Sequence, residues 1–593
     1  MVGRGLVALG VLCASIAVWA EEAGSGPATP GAQTSSVVLL DEVPNYAEIL
    51  RHQWSVGVPP DVTAAERSVE YYGRLLETEL QATTLGDCIA LALQNNTELQ
   101  IQRLGPLSAV TGVRRARSQF DPRLFADVSR DRLNTPATTF LTSGDPARES
   151  PIPPTLFTQN LNANAGLRKL FRSGSQVELK WTNNRYKTNP SIANPLVPRN
   201  TTGLGLSLNQ PLLRDFGWNY SLLIVNVAET TAESVYYQYA AGIATVITQV
   251  ERSYWALVAA IENVRVQEQG LALAQELLRQ NEGKFKVGTL PQTAVLEAKS
   301  EVARREARLI DARNKQANAR DNLRAIINYR KPDAAALLMI EPQDHPTVIP
   351  YQVDLGRSLQ TALERRPELM AARLDIRGKG LQRKIAENQL LPRLNFVGAI
   401  GVNGMSGGRP DVQGITGDLP GPQAPESLQG GYGDALQLLT DGRYYNYSAG
   451  ATIEIPLGNA QAKADYAKAN IDLDSSRLSM RRLEEGVTLE IKRSVSNLDS
   501  DLKSIDATRL ARELAEENLR NQQARYDVGL ATTKDLLDFQ NRVTLARLQE
   551  IRALIKYNTD LAEMRRVEGT LLEARNVVVE RVSTGGEPWW ARF

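Results

Sequence analysis

The chain has 593 residues, with 68 Lys and Arg against 67 Asp and Glu for a formal net charge of +1, which argues against a nucleic-acid binder held by a basic face. Two His and two Cys in the whole chain leave almost no material for a His/Cys metal centre, a disulfide scaffold or a Ser/His/Asp triad. No catalytic residue, metal site or cofactor is expected, and the absence of a G-x-x-x-x-G-K-[ST] loop means that energy for any active process comes from a partner.

Residues 1–20 carry Arg4, an apolar run from Leu6 to Trp19 and small residues Val18 and Ala20 before a plausible cut, the pattern of a cleavable secretory leader. Residues 21–83 read as an N-terminal extension: Gly/Pro/Ser-rich and disordered to about Ser36, then amphipathic with Trp54, Tyr71 and Tyr72. Cys88 is expected as a small buried residue.

A first unit spans 84–330. It opens with a helical run near Glu98 to Ser118, and strands follow at about 123–212. Leu161, Ala163, Ala165 and Leu167 alternate with polar neighbours, as do Val177, Leu179 and Trp181, then Leu204, Leu206 and Leu208. Ten-residue segments that are apolar on one side only suit an outer-membrane barrel or a soluble antiparallel sheet. The export leader and the loops favour the barrel. Those loops, Pro-rich 135–154 here and Gly/Pro-rich Gly401 to Gly442 later, are expected to be irregular and exposed. Pro211 marks the junction from strand to helix.

From Tyr236 the apolar positions Tyr239, Ile243, Val246, Val250, Tyr254, Leu257, Ile261 and Val264 recur at about 3.5 residues, the coiled-coil spacing. The spacing predicts a helix over 218–286, about 100 Å long. Its longest uncharged stretch, Ser234 to Val250, falls short of a transmembrane helix. Val287-Gly288-Thr289-Leu290 reverses the chain into a helix over 291–329. Pairs such as Glu301/Arg305 and Glu516/Arg520 are read as a solvated face.

A linker at 331–353, broken by Pro332, Pro342, Pro346 and Pro350, leads to a second unit at 354–570 that repeats the first. Leu85-Gly86, Ala92-Leu93, Glu98-Leu99, Arg103-Leu104, Ala116, Gln119 and Pro122-Arg123-Leu124 all recur at an offset of 270 without a gap. Pro211-Leu212 returns as Pro456-Leu457 at an offset of 245, so the first unit carries 25 more residues in its strand region. The second unit is read as a helix, strands over about 393–456, a junction at Pro456, a long helix over 459–527, the turn Val528-Gly529-Leu530-Ala531 and a helix over 532–570. A C-terminal tail, 571–593, follows.

One copy offers too few strands to close a barrel. An open edge in lipid strands unpaired backbone groups at several kcal/mol each, so several copies must pool their strands. A duplicated helix–strand–helix unit behind a leader, with Pro-Arg-Leu opening a strand, Gln210-Pro211-Leu212-Leu213 closing one and Val-Gly ending each long helix, resembles the TolC-like outer-membrane efflux protein family over roughly 84–570.

The resemblance implies an α+β membrane protein: a homotrimeric β-barrel in the outer membrane of a Gram-negative-type bacterium, continued through the periplasm by a long α-helical coiled-coil barrel. It implies an exit channel of a tripartite efflux pump or type I secretion system, with a periplasmic adaptor and an inner-membrane transporter as partners, outer-membrane lipid around it and no nucleic acid. A periplasm-spanning structural or adhesive stalk without transport is the alternative.

It further implies that Val287, Gly288, Thr289 and Leu290, with Val528, Gly529, Leu530 and Ala531, form tip turns where the adaptor docks. Asp535 and Asp538, one turn apart, match the positions of carboxylate rings that narrow the tunnel mouth, and Glu297 stands to Gly288 as Asp538 stands to Gly529. Relatives that latch the tip through an Arg–Asp pair have those residues where this chain has Ala531 and Ala294. The tip is therefore expected to close by packing or other polar contacts, with a weaker latch.

Overall fold

The computed structural model describes residues 82–136, 155–188, 196–328, 340–348, 351, 354–409 and 424–581. The leader at 1–20, the extension up to residue 81, parts of the linker and the tail beyond 581 lie outside the described residues.

The last two residues before the first unit belong to the fold. Ala82–Thr83 (β1) pairs in parallel with Glu341–Pro342 (β6) of the linker. Thr84 caps helix α1 (Leu85–Asn95) in a reciprocal box with Asp87. The hydroxyl of fully buried Tyr254 donates to Asp344 (2.9 Å), whose carboxylate also accepts the Leu85 amide (2.7 Å). Helix α2 (Thr97–Arg117) follows, then four strands: β2 (Arg123–Pro136), β3 (Thr155–Leu170), β4 (Gln176–Thr188) and β5 (Arg199–Pro211).

A single helical turn at Trp218–Ser221 precedes the long helix α3 (Leu223–Lys286), so the rod expected from residue 218 starts only after a break at Leu222. Helix α4 (Gln292–Ile327) returns beside it. The second half runs α5 (Leu355–Arg365), α6 (Pro367–Asn388), β7 (Arg393–Gly407), α7 (Tyr432–Thr440), β8 (Tyr445–Glu454), α8 (Ala460–Asp527) and α9 (Thr533–Glu568). At 1.5 Å per residue, α3 and α8 measure roughly 95 and 100 Å. Among the described residues no helix is long and apolar enough to cross a membrane.

The shorter helices stack end to end. Asn328, in the left-handed conformation that ends α4, donates to the Asn95 carbonyl (3.2 Å) and to Thr97 (2.9 Å), while Asn96, the cap of α2, donates to the Ile326 carbonyl (2.8 Å). At the matching place in the second half, Gly569 ends α9 at φ +76°, where a Cβ would meet the Arg366 backbone at 3.0 Å. Glycine is required there. Each stack runs alongside its long helix, and α9 also lies against α3, joining the two hairpins.

Apolar packing forms separate clusters along the rods. The most extensive surrounds Tyr254 and Trp255 of α3 with Cys88, Leu91, Leu323 and Leu571. Smaller ones lie at Val264, Leu309 and Ala312, and at Leu277, Tyr526, Leu536 and Leu537. The tail expected to start at 571 is thus tied to the core by Leu571, which is buried.

Two readings of charge and loop are corrected. Glu301 and Arg305 are buried, not solvated: Arg305 binds Glu301 (2.9 Å) and the Gly270 carbonyl of α3 (2.5 Å). Burial drives the Glu301 pKa up, but Arg305 and Arg304 hold it below the usual carboxylate range. Glu516 pairs with Arg512 and Arg547, not Arg520. Within 401–442, expected to be irregular, the described residues extend β7 to Gly407 and supply α7, while 410–423 lie outside them. The helix packs on the sheet because Gly404 has no side chain: a Cβ there would sit 2.0 Å from the Ala435 carbonyl oxygen.

Candidate functional site

Two regions carry features that helix and strand formation alone do not explain: the sheet, and the ends of the long hairpins.

The sheet has six strands in the order β2-β3-β4-β5-β7-β8, every neighbour antiparallel. Register places Leu124, Leu167, Leu179, Leu206, Ile400 and Tyr447 in one row across all six strands, and every one of these side chains is exposed. The row three residues along in β2 is on the opposite face and runs Asp127, Asn164, Thr182, Gly203 and Asn403. Asn164 donates to Asp127 (2.8 Å), Asn184 to Asn162 (2.6 Å) and Asn403 to Asn446 (3.0 Å). One face therefore carries an uninterrupted apolar row and the other a row of amide and other polar side chains. A soluble sheet with one solvated face buries its apolar side; this one leaves the row from Leu124 to Tyr447 exposed, as a sheet facing hydrocarbon does, and α7 lies over the same face farther along, at Gly404. The outer strands β2 and β8 have no partner on their far sides among the described residues.

Pro211 pairs with Asn395 at the end of β5. Just beyond it the Asp215 amide (φ +65°) donates to the Asn388 side-chain oxygen (2.8 Å), and Gln389 donates to the Asp215 carboxylate (2.6 Å). Pro456 follows β8 by two residues, and Gly458 and Asn459 turn the chain into α8 with positive φ. Asn459 then donates to the Leu390 carbonyl (3.1 Å).

At the other end the two Val-Gly turns have the same geometry. Gly288 (φ +78°) donates to Phe285 (2.9 Å) and Thr289 to Lys284 (3.0 Å); Gly529 (φ +79°) donates to Tyr526 (3.1 Å) and Leu530 to Arg525 (2.8 Å). Both are Schellman reversals. Val287, Val528 and Leu530 are 70–73 % exposed there, an apolar tip that nothing covers among the described residues.

The predicted carboxylates differ in their surroundings. Asp535 closes a capping box on α9: its carboxylate accepts the Thr532 hydroxyl (2.7 Å) and amide (3.1 Å). The Thr532 hydroxyl and amide hold its pKa below the usual range. Asp538 and Glu297 are exposed on α9 and α4.

Sequence reading missed the buried polar node between the hairpins. Asn281 of α3, Tyr526 of α8 and Thr533 of α9 are all buried. Tyr526 donates to the Asn281 side-chain oxygen, while the Asn281 nitrogen donates to Thr533 (3.1 Å) and the Ala294 carbonyl (3.3 Å). Lys284 lies over the Tyr526 ring at 4.3 Å. The available signal was an Asn at the end of the buried stripe Gly270, Ala274, Leu277 and Asn281. Ala531 packs beside the cluster of Leu277 and Tyr526, and buried Ala294 offers its carbonyl to Asn281, so both alanines adjoin the node.

Among the described residues no group of His, Cys, Asp and Glu is placed to hold a metal, and the thiol of Cys88 is buried, its pKa pushed up to about 12 by loss of hydration.

Residues 176–329 and 358–570, well over half of the chain, match the family model described as outer membrane efflux protein. The outer membrane protein TolC of Escherichia coli K12 is 24% identical over 397 residues, 65% of this chain and 74% of that protein. A crystal structure of a membrane protein from Pseudomonas aeruginosa superposes with a TM-score of 0.57 at 17% identity, covering 82% of this chain and 92% of the other. The Campylobacter jejuni CmeC outer membrane channel gives 0.55 at 15% identity, covering 92% and 94%.

Proposed function

The chain belongs to the outer membrane efflux protein family, and from that premise we propose that three copies form a passive exit duct, fed from the periplasm by an adaptor and an inner-membrane transporter of a tripartite pump or one-step secretion system. It is an outer-membrane efflux channel with a large helical periplasmic part. The single observation that carries the trimeric duct is the exposed apolar row across six strands, backed by an amide-lined face and bounded by two open edges. Such a sheet is stable in lipid only when closed around water.

In this reading α3 and α8 with their stacked partners form the tunnel wall, and the exposed tip turns around Gly288 and Gly529 take the adaptor. Asp538 and Glu297, with Asp535 beside them, line the mouth, where three-fold repetition of carboxylates attracts cations. The chemistry asked of the protein is passage, not bond-making.

Planar-bilayer recording on the purified protein is the test: discrete, cation-preferring conductance is expected. A trimer that inserts but passes no current would favour the non-conducting stalk.

A further inference from the structure

Resting on the trimeric reading, we propose that the free edges of β2 and β8 dock onto second copies of this chain in a defined register, and that the β3–β4 hairpin stands in the barrel wall, so that the closed barrel has eighteen strands.

The hairpin is the feature without a counterpart. The second half brings two strands, β7 and β8, whereas the first brings four. An additional hairpin that plugged the lumen or lay on the surface would not share the two-faced pattern of its neighbours. Instead β3 and β4 are hydrogen-bonded between β2 and β5 along continuous ladders, and Leu167 and Leu179 carry the apolar row across them without a break. They are wall strands. Three copies of six make eighteen, where two strands from each half would make twelve. With strands about 4.8 Å apart and tilted about 40°, the backbone radius is roughly 18 Å instead of roughly 12 Å.

Closure is geometrically permitted. Six alternating strands leave β8 antiparallel to the β2 of a neighbour, so every pairing around the ring is of one kind. The duplication supplies the register. Inside the chain, first half meets second where β5 pairs β7, with Pro211 opposite Asn395. Moving Pro211 forward by the 245-residue offset gives Pro456, and moving Asn395 back by 270 gives Phe125. The seam between copies then sets Ile453 opposite Val128 and Thr452 opposite Ser129.

That register was not chosen for its faces, yet it satisfies them. Val128 lies two pleats from Leu124 on the apolar side, Ile453 lies on the side of Tyr447, and a slip of one residue would turn one edge inside out. Glu454 and Asp127 oppose each other, but each already has a partner in its own chain, Arg393 (3.2 Å) and Asn164 (2.8 Å).

The test uses the full chain purified in detergent. Val128→Cys with Ile453→Cys, oxidised, is expected to give a covalent ladder ending at trimer on a denaturing non-reducing gel, whereas Val128→Cys with Ala449→Cys, displaced by four residues, is expected to stay monomeric. Cross-linking by the displaced pair, or a native trimer with no link through the first pair, overturns the register and leaves the duct reading standing. Electron cryo-microscopy of the unmodified trimer counts strands independently of any variant: eighteen supports the proposal and twelve overturns it. A protein that is monomeric in native mass measurement overturns this inference and the trimeric reading together.

Discussion

Arg575 and Glu251 meet edge to edge, Nε to Oε1 and Nη2 to Oε2, each at 2.7 Å. Glu251 is only 1 % exposed, so this fork locks the segment after α9 onto the middle of α3. Arg575→Ala leaves a buried carboxylate without its partner, a loss of about 3–5 kcal/mol. A clear fall in the helical unfolding temperature, followed by circular dichroism, is expected; an unchanged transition would show that the fork contributes nothing.

Tyr526→Phe deletes one hydroxyl from the node between the hairpins. It leaves the Asn281 oxygen buried without that donor, at about 1–3 kcal/mol. If this node holds the tip shut, single-channel recordings will show a higher open probability with little change in the fold. Wild-type gating would place the latch elsewhere.

Asp535 gives a pH dependence whose sign is fixed. Its folded pKa is depressed by the cap hydrogen bonds, so its stabilisation is present above the unfolded value of about 3.9 and is lost as pH falls through the folded one. Wild type and Asp535→Asn should differ in melting temperature at neutral pH and converge in strong acid. A constant difference down to about pH 2 would exclude the carboxylate as the cause.

Because Asp535 is occupied by its own helix end, Asp538 and Glu297 are the cleaner probes of the mouth. Asp538→Asn with Glu297→Gln is expected to lower cation preference several-fold, read as a shifted reversal potential in a salt gradient, while leaving the cap intact. No shift would mean that the carboxylates face away from the passage.

Val528→Asp with Leu530→Asp places charge on the bare apolar tip without touching Gly529. Loss of adaptor capture with conductance retained is the expected outcome. Capture at wild-type strength would move the docking surface off the turns.

Periodicity made much of this legible. The 3.5-residue spacing from Tyr236 to Val264 lies within α3, and the alternation at Leu204, Leu206 and Leu208 lies within β5. Both patterns are local, one residue type facing one environment. What escaped depends on contacts distant in sequence. Nothing near Glu301 and Arg305 says that the Gly270 carbonyl, 35 residues away, takes the guanidinium, and nothing near Asn281 names Tyr526, 245 residues away. The helix Tyr432–Thr440 hid among glycines because its packing depends on the missing side chain of Gly404, not on its own apolar stripe. Asp535 was readable as a carboxylate on a helix face; its bond to Thr532 adds a local role that position alone leaves open.

The uneven spread of the apolar clusters makes α3 a lever. The fulcrum is the dense region around Tyr254 and Trp255, from which the packing thins through Val264 and Leu309 to the small group at Leu277 and Tyr526. Splaying the far end disturbs few apolar contacts, whereas bending at the middle would disrupt many. Amide hydrogen exchange should therefore accelerate progressively from Tyr254 towards Lys286, the mechanical signature of a stiff shaft with a compliant nozzle.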